Sequence, residues 1–243
     1  RILLTNDDGI YAPGLWAAAE ALTELGEVVV LAPDRDMSGM GTAMTLMNVV
    51  RVQDVPSPVP GVKAYSVQGT PADCVVLGSE KLLGRPPDLV VSGINHGANL
   101  GLDVMVSGTV GGAFQGYFRQ IPSMAVSVVS ETEGRYEAAA RATKALARAI
   151  SDNSMPSPLL INVNVPSLAS EEIERVELTR LGAATYLENV EQGTDGRRTH
   201  YWIRHNRRVN AEVEEGTDVW AVRNRRVSIT PLHVSFSLET PTP

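Results

Sequence analysis

The chain has 243 residues, 43% of them hydrophobic, with 21 basic against 28 acidic side chains, a formal net charge of −7 and one cysteine. That length suits one α/β unit with an extension, and the acidic balance argues against a general nucleic-acid coat. One cysteine excludes an internal disulfide or a multi-thiolate zinc site, no apolar run reaches the roughly 18 residues of a membrane span, and the polar start is unlike a secretion signal, so a soluble cytoplasmic protein is expected.

Residues 2–5 form an apolar run that ends in Asn6-Asp7-Asp8-Gly9, and a helical pattern follows from about 13 to 25. Residues 27–32 are a second apolar, β-branched run, stopping at Pro33-Asp34. Residues 44–52 and 62–68 read as two more strands that either extend a sheet or form a hairpin. Thr70-Pro71-Ala72-Asp73 has the marks of a helix start, with a capping hydroxyl, a first-turn proline and an acid that answers the cap, and this helix is expected to reach about Leu83. Cys74, among Val75, Val76 and Leu77, is expected to be a buried small hydrophobe. Residues 88–92 are a strand that stops at Gly93-Ile94-Asn95, and a helix from Ser107 is expected to run to about Arg119. Residues 124–129 and 159–163 complete the strands, while positions 136, 139, 140, 143, 146, 147 and 150 mark a helix over 135–150 by their 3.6-residue period. Nearly continuous apolar strands alternating with helices predict an α/β fold: a mostly parallel sheet covered by helices on both faces.

After residue 165 this rhythm ends. A Glu-rich stretch at 171–177, Gly/Asp turns at 193–196 and polar β-like residues at 198–205 follow, and 197–226 holds eight arginines against four acids. That segment reads as an arm or hairpin. The expected division is a core over 1–165 and a C-terminal extension over 166–243, with a frayed tail from Glu239.

In an open parallel sheet, ligands gather beyond the carboxyl ends of the strands. Asp7 and Asp8 follow the first strand, Ser38 the second, and Asn95 the strand at 88–92. These side chains offer oxygen alone, a hard donor set suited to Mg²⁺, Mn²⁺ or Ca²⁺. Each residue singly has a plain explanation as a turn former or cap, and the convergence of three strand ends favours the metal. Ser107-Gly108-Thr109 precedes a helix and can seat an anion on first-turn amides, although a simple Ser/Thr cap gives the same spacing. It is neither a Walker loop nor a Gly-x-Gly-x-x-Gly fingerprint. Asn99 can reach either metal or phosphate, and His96 is a candidate proton donor with no role assigned.

The blocks Ile2-Leu-Leu-Thr-Asn-Asp-Asp-Gly-Ile10, Ala32-Pro-Asp34 with Ser38-Gly39, Gly69-Thr-Pro-Ala-Asp-Cys74, Val91-Ser-Gly-Ile-Asn95, Gly97-Ala-Asn-Leu-Gly101 and Ser107-Gly-Thr-Val110 together resemble the SurE family of metal-dependent nucleoside monophosphate phosphatases. The likeness continues through Asn162-Val-Asn-Val-Pro166, Thr217-Asp218 and Ser228-Ile-Thr-Pro-Leu232. It implies a Rossmann-like core and a C-terminal β-hairpin arm exchanged between subunits of a homodimer or homotetramer. It also implies hydrolysis of nucleoside 5′- and 3′-monophosphates, with exopolyphosphatase action in some members. By motif, Asp7, Asp8, Ser38 and Asn95 would hold the metal, Asn99 with Ser107, Gly108 and Thr109 the phosphate, and Asp7 or Asp8 would orient or deprotonate the attacking water. The chain departs from the family at Val106, where an aromatic is usual, and at Arg225-Arg226, where a glycine is common.

Two other classes of function stay open on sequence alone. The same crevice can serve a nucleotide or polyphosphate sensor without turnover. The arginines of the arm, at 204, 207 and 208 among others, can serve RNA binding, although charge on a solvated hairpin is the commoner reading and no specific nucleic acid partner is expected.

Overall fold

The first strand, β1 (Ile2–Thr5), already shows why the sheet is covered on both faces: Ile2 and Leu4 enter one hydrophobic cluster and Leu3 another. The computed structural model describes residues 1–130, 134–155, 159–183, 186–208 and 213–233, with the backbone alone at 186–188 and 205–208. The expected fraying from Glu239 lies outside these residues.

The remaining strands are β2 (Val28–Pro33), β3 (Val52–Val55), β4 (Lys63–Val67), β5 (Leu89–His96), β6 (Ser123–Val129), β7 (Leu160–Pro166), β8 (Val176–Leu178), β9 (Tyr186–Thr194), β10 (Thr199–Arg208) and β11 (Val227–Pro231). Among the described residues, nine strands form one sheet in the order β3-β4-β2-β1-β5-β6-β7-β11-β8. The six from β4 to β7 run parallel, β3 is antiparallel to β4, and β11 is antiparallel to β7. Helices α1 (Pro13–Leu22) and α4 (Glu137–Ser151) cover one face, while α2 (Pro71–Leu77) and α3 (Gly108–Phe118) cover the other. Among the described residues, no helix is long and apolar enough to cross a membrane.

Local signals explain most of these elements. Thr70 Oγ1 accepts the Asp73 amide while the Asp73 carboxylate accepts the Thr70 amide, the reciprocal box its sequence predicts, worth about 1 kcal/mol. α2 then widens into a π-turn over Gly78–Leu82 instead of continuing as a regular helix to Leu83. Cys74 is fully buried beside Leu3 and Leu31, and burial pushes its thiol far up, so it is an inert packing group. Strand β5 runs on through Gly93 to His96, with an irregularity in its pairing to β6 between Ser92 and Asn95.

Helix α3 is the element on which the site depends. Its glycines at 108, 112 and 116, four residues apart, face inward: a Cβ at Gly112 would lie 2.8 Å from Ser92 Oγ, and one at Gly116 would lie 2.7 Å from Val90 Cγ2. The helix therefore lies close against β5 and β6, at a propensity cost of about 1 kcal/mol per glycine.

The expected strand over 44–52 is not formed: only Val52–Val55 pairs, and the segment before it is irregular. Its apolar residues are largely uncovered, Met47 being 93% exposed, and Thr45 is tied by its amide and hydroxyl to the Asp73 carboxylate.

In the C-terminal part, β9 and β10 form a separate antiparallel hairpin, turning at Asp195, whose carboxylate accepts the Arg197 and Arg198 amides. The hairpin is shorter than the arginine-rich segment, because 218–223 is helix α5 (Asp218–Arg223) and 227–231 joins the main sheet as β11. A bridge between Arg180 and Thr217 closes the base of this excursion.

Candidate active site

Four loops at the carboxyl edge of the sheet enclose a cavity of about 730 Å³ lined by residues that include Asp7, Ser38, Asn95, His96, Asn99 and Ser107. The loop after β1 is shaped by Asn6, whose side chain accepts the Gly9 amide at 3.2 Å and donates to the Gly9 carbonyl at 3.0 Å, with Gly9 at φ +99°. That turn presents Asp7 and Asp8. The Met37 amide donates to the Asp7 carbonyl at 2.7 Å, which docks the loop after β2 against it.

Asp7 is buried, and its carboxylate sits on the N-terminus of α3. Its Oδ2 accepts the Thr109 amide at 2.9 Å, and its Oδ1 accepts the Thr109 hydroxyl. A Cβ at Gly108 would stand 2.8 Å from Asp7 Cβ and Oδ2, so the glycine is required for this approach. Burial raises the Asp7 pKa, and the bonds from Thr109 act against that rise. Asp8 accepts the His96 amide at 3.1 Å. Desolvation first, and the neighbouring charges of Asp7 and Asp36, lift its pKa to about 7.

The Ser38 hydroxyl donates to Asp36 Oδ1 at 2.6 Å, which leaves its lone pairs for another partner. The Asn95 Nδ2 donates to the Gly97 carbonyl at 2.9 Å, which leaves Oδ1 as the atom able to ligate a cation. Asn99 is 7% exposed, with its Nδ2 on Ser127 Oγ at 2.8 Å. Ser107 caps α3 by accepting the Val110 amide at 3.1 Å. The eight residues singled out in the sequence thus meet at one edge, although Thr109 is fully buried and its amide and hydroxyl are engaged by Asp7.

Asp36 and Tyr136 are among the residues that join the site without having been singled out in the sequence. Asp36 adds a carboxylate beside Asp7 and Asp8, and its i to i+2 bond to Ser38 is a local turn signature readable in Asp-Met-Ser. Tyr136 places its hydroxyl 3.4 Å from His96 Nδ1. It reads in the sequence as a core position of α4, and nothing local marks it.

The donor set fits a hard cation. The charge of Asp36 pushes up the pKa of both Asp7 and Asp8, the charge of Asp7 adds to the rise at Asp8, and no lysine or arginine is among the described residues lining the cavity. Like charges gathered in a buried site without a basic partner are costly unless a cation is shared among them. Among the described residues no cluster of three or more His, Cys, Asp or Glu side chains is disposed to bind a metal, and the neutral oxygens of Ser38 and Asn95 line the same cavity as Asp7.

A family model described as survival protein SurE matches residues 2–188. A Dehalococcoides mccartyi protein named 5′-nucleotidase SurE is 48% identical over 235 residues, covering 96% of this chain and 88% of the relative. A Geobacter sulfurreducens protein of the same name is 43% identical, covering 98% of this chain and 89% of the relative. The crystal structure of the SurE protein from Aquifex aeolicus superposes with a TM-score of 0.83 at 41% identity, covering 98% of this chain and 94% of that one. With the motif blocks lying in order on this shared fold, the chain belongs to the SurE family.

Proposed function

We propose that this protein is a divalent-metal-dependent phosphatase that hydrolyses nucleoside 5′- and 3′-monophosphates to nucleoside and phosphate, with exopolyphosphatase action as a secondary capacity. One observation carries the reading: Asp7, Ser38 and Asn95, oxygen donors at three strand ends, line a single cavity together with Ser107, the N-cap of α3. The relatives named 5′-nucleotidase support it, and the cavity volume is in the range that small-molecule ligands occupy.

Asp7, Asp8, Ser38 and Asn95 would hold one Mg²⁺ or Mn²⁺, with Ca²⁺ as a stand-in. A cation held there supplies charge neutralisation for phosphoryl oxygens and lowers the pKa of a bound water. Thr109 fixes the Asp7 carboxylate, so this ligand needs no reorganisation. Asp7 or Asp8 would orient or deprotonate the attacking water. Asn99, Ser107 and the Gly108 amide would receive the phosphoryl oxygens, with Thr109 acting on them through Asp7.

The test is phosphate release from AMP, GMP and short polyphosphate with Mg²⁺, Mn²⁺ or Ca²⁺ in turn, and again with excess EDTA. Release that needs the cation and returns on its re-addition is the expected outcome. Release that persists in EDTA overturns the metal assignment, and tight binding without release identifies a sensor.

The reading extends to assembly, with the β9–β10 hairpin exchanged between subunits of a homodimer or homotetramer. Among the described residues the hairpin pairs with no other strand, and it exposes Val190, Tyr201, Trp202 and Ile203. Sedimentation of a chain lacking 186–208 should show dissociation to monomer; an unchanged assembly rules out exchange as its basis.

A further inference from the structure

The loop after β5 carries Asn99, and its backbone is gripped by side chains from distant parts of the chain. Asn164 on β7 brackets it: Oδ1 accepts the Asn99 amide and Nδ2 donates to the Asn99 carbonyl, both at 2.9 Å. Asn162, two residues earlier on the same face of that strand, donates to the same carbonyl at 2.8 Å. Ser127 on β6, the register neighbour of Asn164, takes the Asn99 side-chain amide. Two residues on, the Gly101 amide donates to Asp218 at 2.8 Å.

Asn162, Asn164 and Ser127 are fully buried between apolar neighbours on their own strands. Such polar groups are expensive in a core, and here they serve a loop backbone that has no strand to pair with. The two-bond bracket from Asn164 reproduces the exchange that a neighbouring strand would give. It fixes the Asn99 side-chain amide so that one N–H meets Ser127, leaving the second for the cavity that Asn99 lines.

We propose that Asn164, assisted by Asn162, is a positioning residue of the phosphate subsite, acting through Asn99. The inference rests on the phosphatase reading. It is distinct from the metal set, because its bonds reach none of Asp7, Asp8, Ser38 or Asn95.

The experiment measures inorganic phosphate affinity by calorimetry at saturating Mn²⁺, Mn²⁺ affinity alone, and kcat and KM for AMP. Asn164→Ala should weaken phosphate binding about tenfold or more and raise KM for AMP in parallel, since two buried hydrogen bonds are lost, while Mn²⁺ affinity stays within about threefold. Asn99→Ala should reproduce the phosphate loss, and the double variant should be no worse than Asn99→Ala, because the two act as one unit. Losses that multiply in the double variant overturn the proposal, as does unchanged phosphate affinity in Asn164→Ala or a fall in Mn²⁺ affinity of the same size. If Asn164→Ala fails to melt cooperatively, Asn162→Ala carries the test, with an expected loss of about threefold for its single bond; no loss overturns it. A wild-type chain that binds phosphate without releasing it from AMP defeats the phosphatase reading and leaves the clamp standing. A wild-type chain that binds no phosphate defeats both.

Discussion

Replacing Asp8 by asparagine is expected to lower cation-dependent phosphate release by at least about 10³-fold and, in the metal-free protein at pH 8, to raise the melting temperature. The two effects share a cause. The Asp8 carboxyl is pushed up to about 7 by desolvation and by the charges of Asp7 and Asp36. An unfolded chain ionises it near the ordinary carboxylate value of about 4, so between those pH values the folded state holds a proton that the unfolded state has released. Metal-free stability should therefore fall as pH rises from about 4 through 7, by a few kcal/mol at most given the side chain's partial exposure, and stay low above that. The asparagine of the variant carries no charge and removes that penalty, while its side-chain oxygen can still accept the His96 amide. Thermal melts at pH 5 and pH 8, with and without Mn²⁺, check this. The wild type should gain from Mn²⁺ at pH 8 and the variant should not; a variant less stable than wild type at pH 8 without metal contradicts the account.

Gly108→Ala is expected to lower activity by about 10²-fold or more while leaving the sheet intact. The added methyl would meet Asp7 Cβ and Oδ2 at 2.8 Å and the Met37 carbonyl at 3.0 Å, so either the carboxylate leaves Thr109 or the helix start lifts from the loop. Either shift misplaces Asp7, the best fixed of the proposed ligands, and displacements of about 1 Å cost that much in rate. Alanine is otherwise the better helix former, so the fold itself should lose no more than about 1–3 kcal/mol. Mn²⁺ titration with a circular dichroism control separates the two: weakened Mn²⁺ binding with an unchanged spectrum is the expected result, and full activity would show that Asp7 tolerates displacement.

Much of this arrangement is legible in the chain. Apolar runs broken by Asp7-Asp8, Ser38 and Asn95 indicate strands feeding one edge, and Thr70 with Asp73 announces its helix. What is not legible depends on partners far away in sequence. The Thr109 amide reads as part of a seat for a phosphate oxygen, and in the structure it donates instead to the Asp7 side chain, from a residue 102 positions earlier. Residues 44–52 have the composition of a strand, yet the chain is irregular up to Val52, with Thr45 tied to Asp73, a tie that no local pattern encodes. Tyr136 fits a helical period as well as any core residue does, and its place beside His96 follows only from how α4 packs.

The bridge at the base of the hairpin has a practical meaning. Arg180 and Thr217 lie side by side, the Arg180 amide donating to the Gly216 carbonyl at 3.1 Å and the Asp218 amide to the Arg180 carbonyl at 2.9 Å. A neck stitched shut in this way returns the chain to the sheet where it left, whatever the length of the outgrowth between. The outgrowth is nonetheless part of the wall it overhangs, because Ile203 on β10 lines the cavity, so trimming it or exchanging it for a foreign strand pair would strip one side from the catalytic edge.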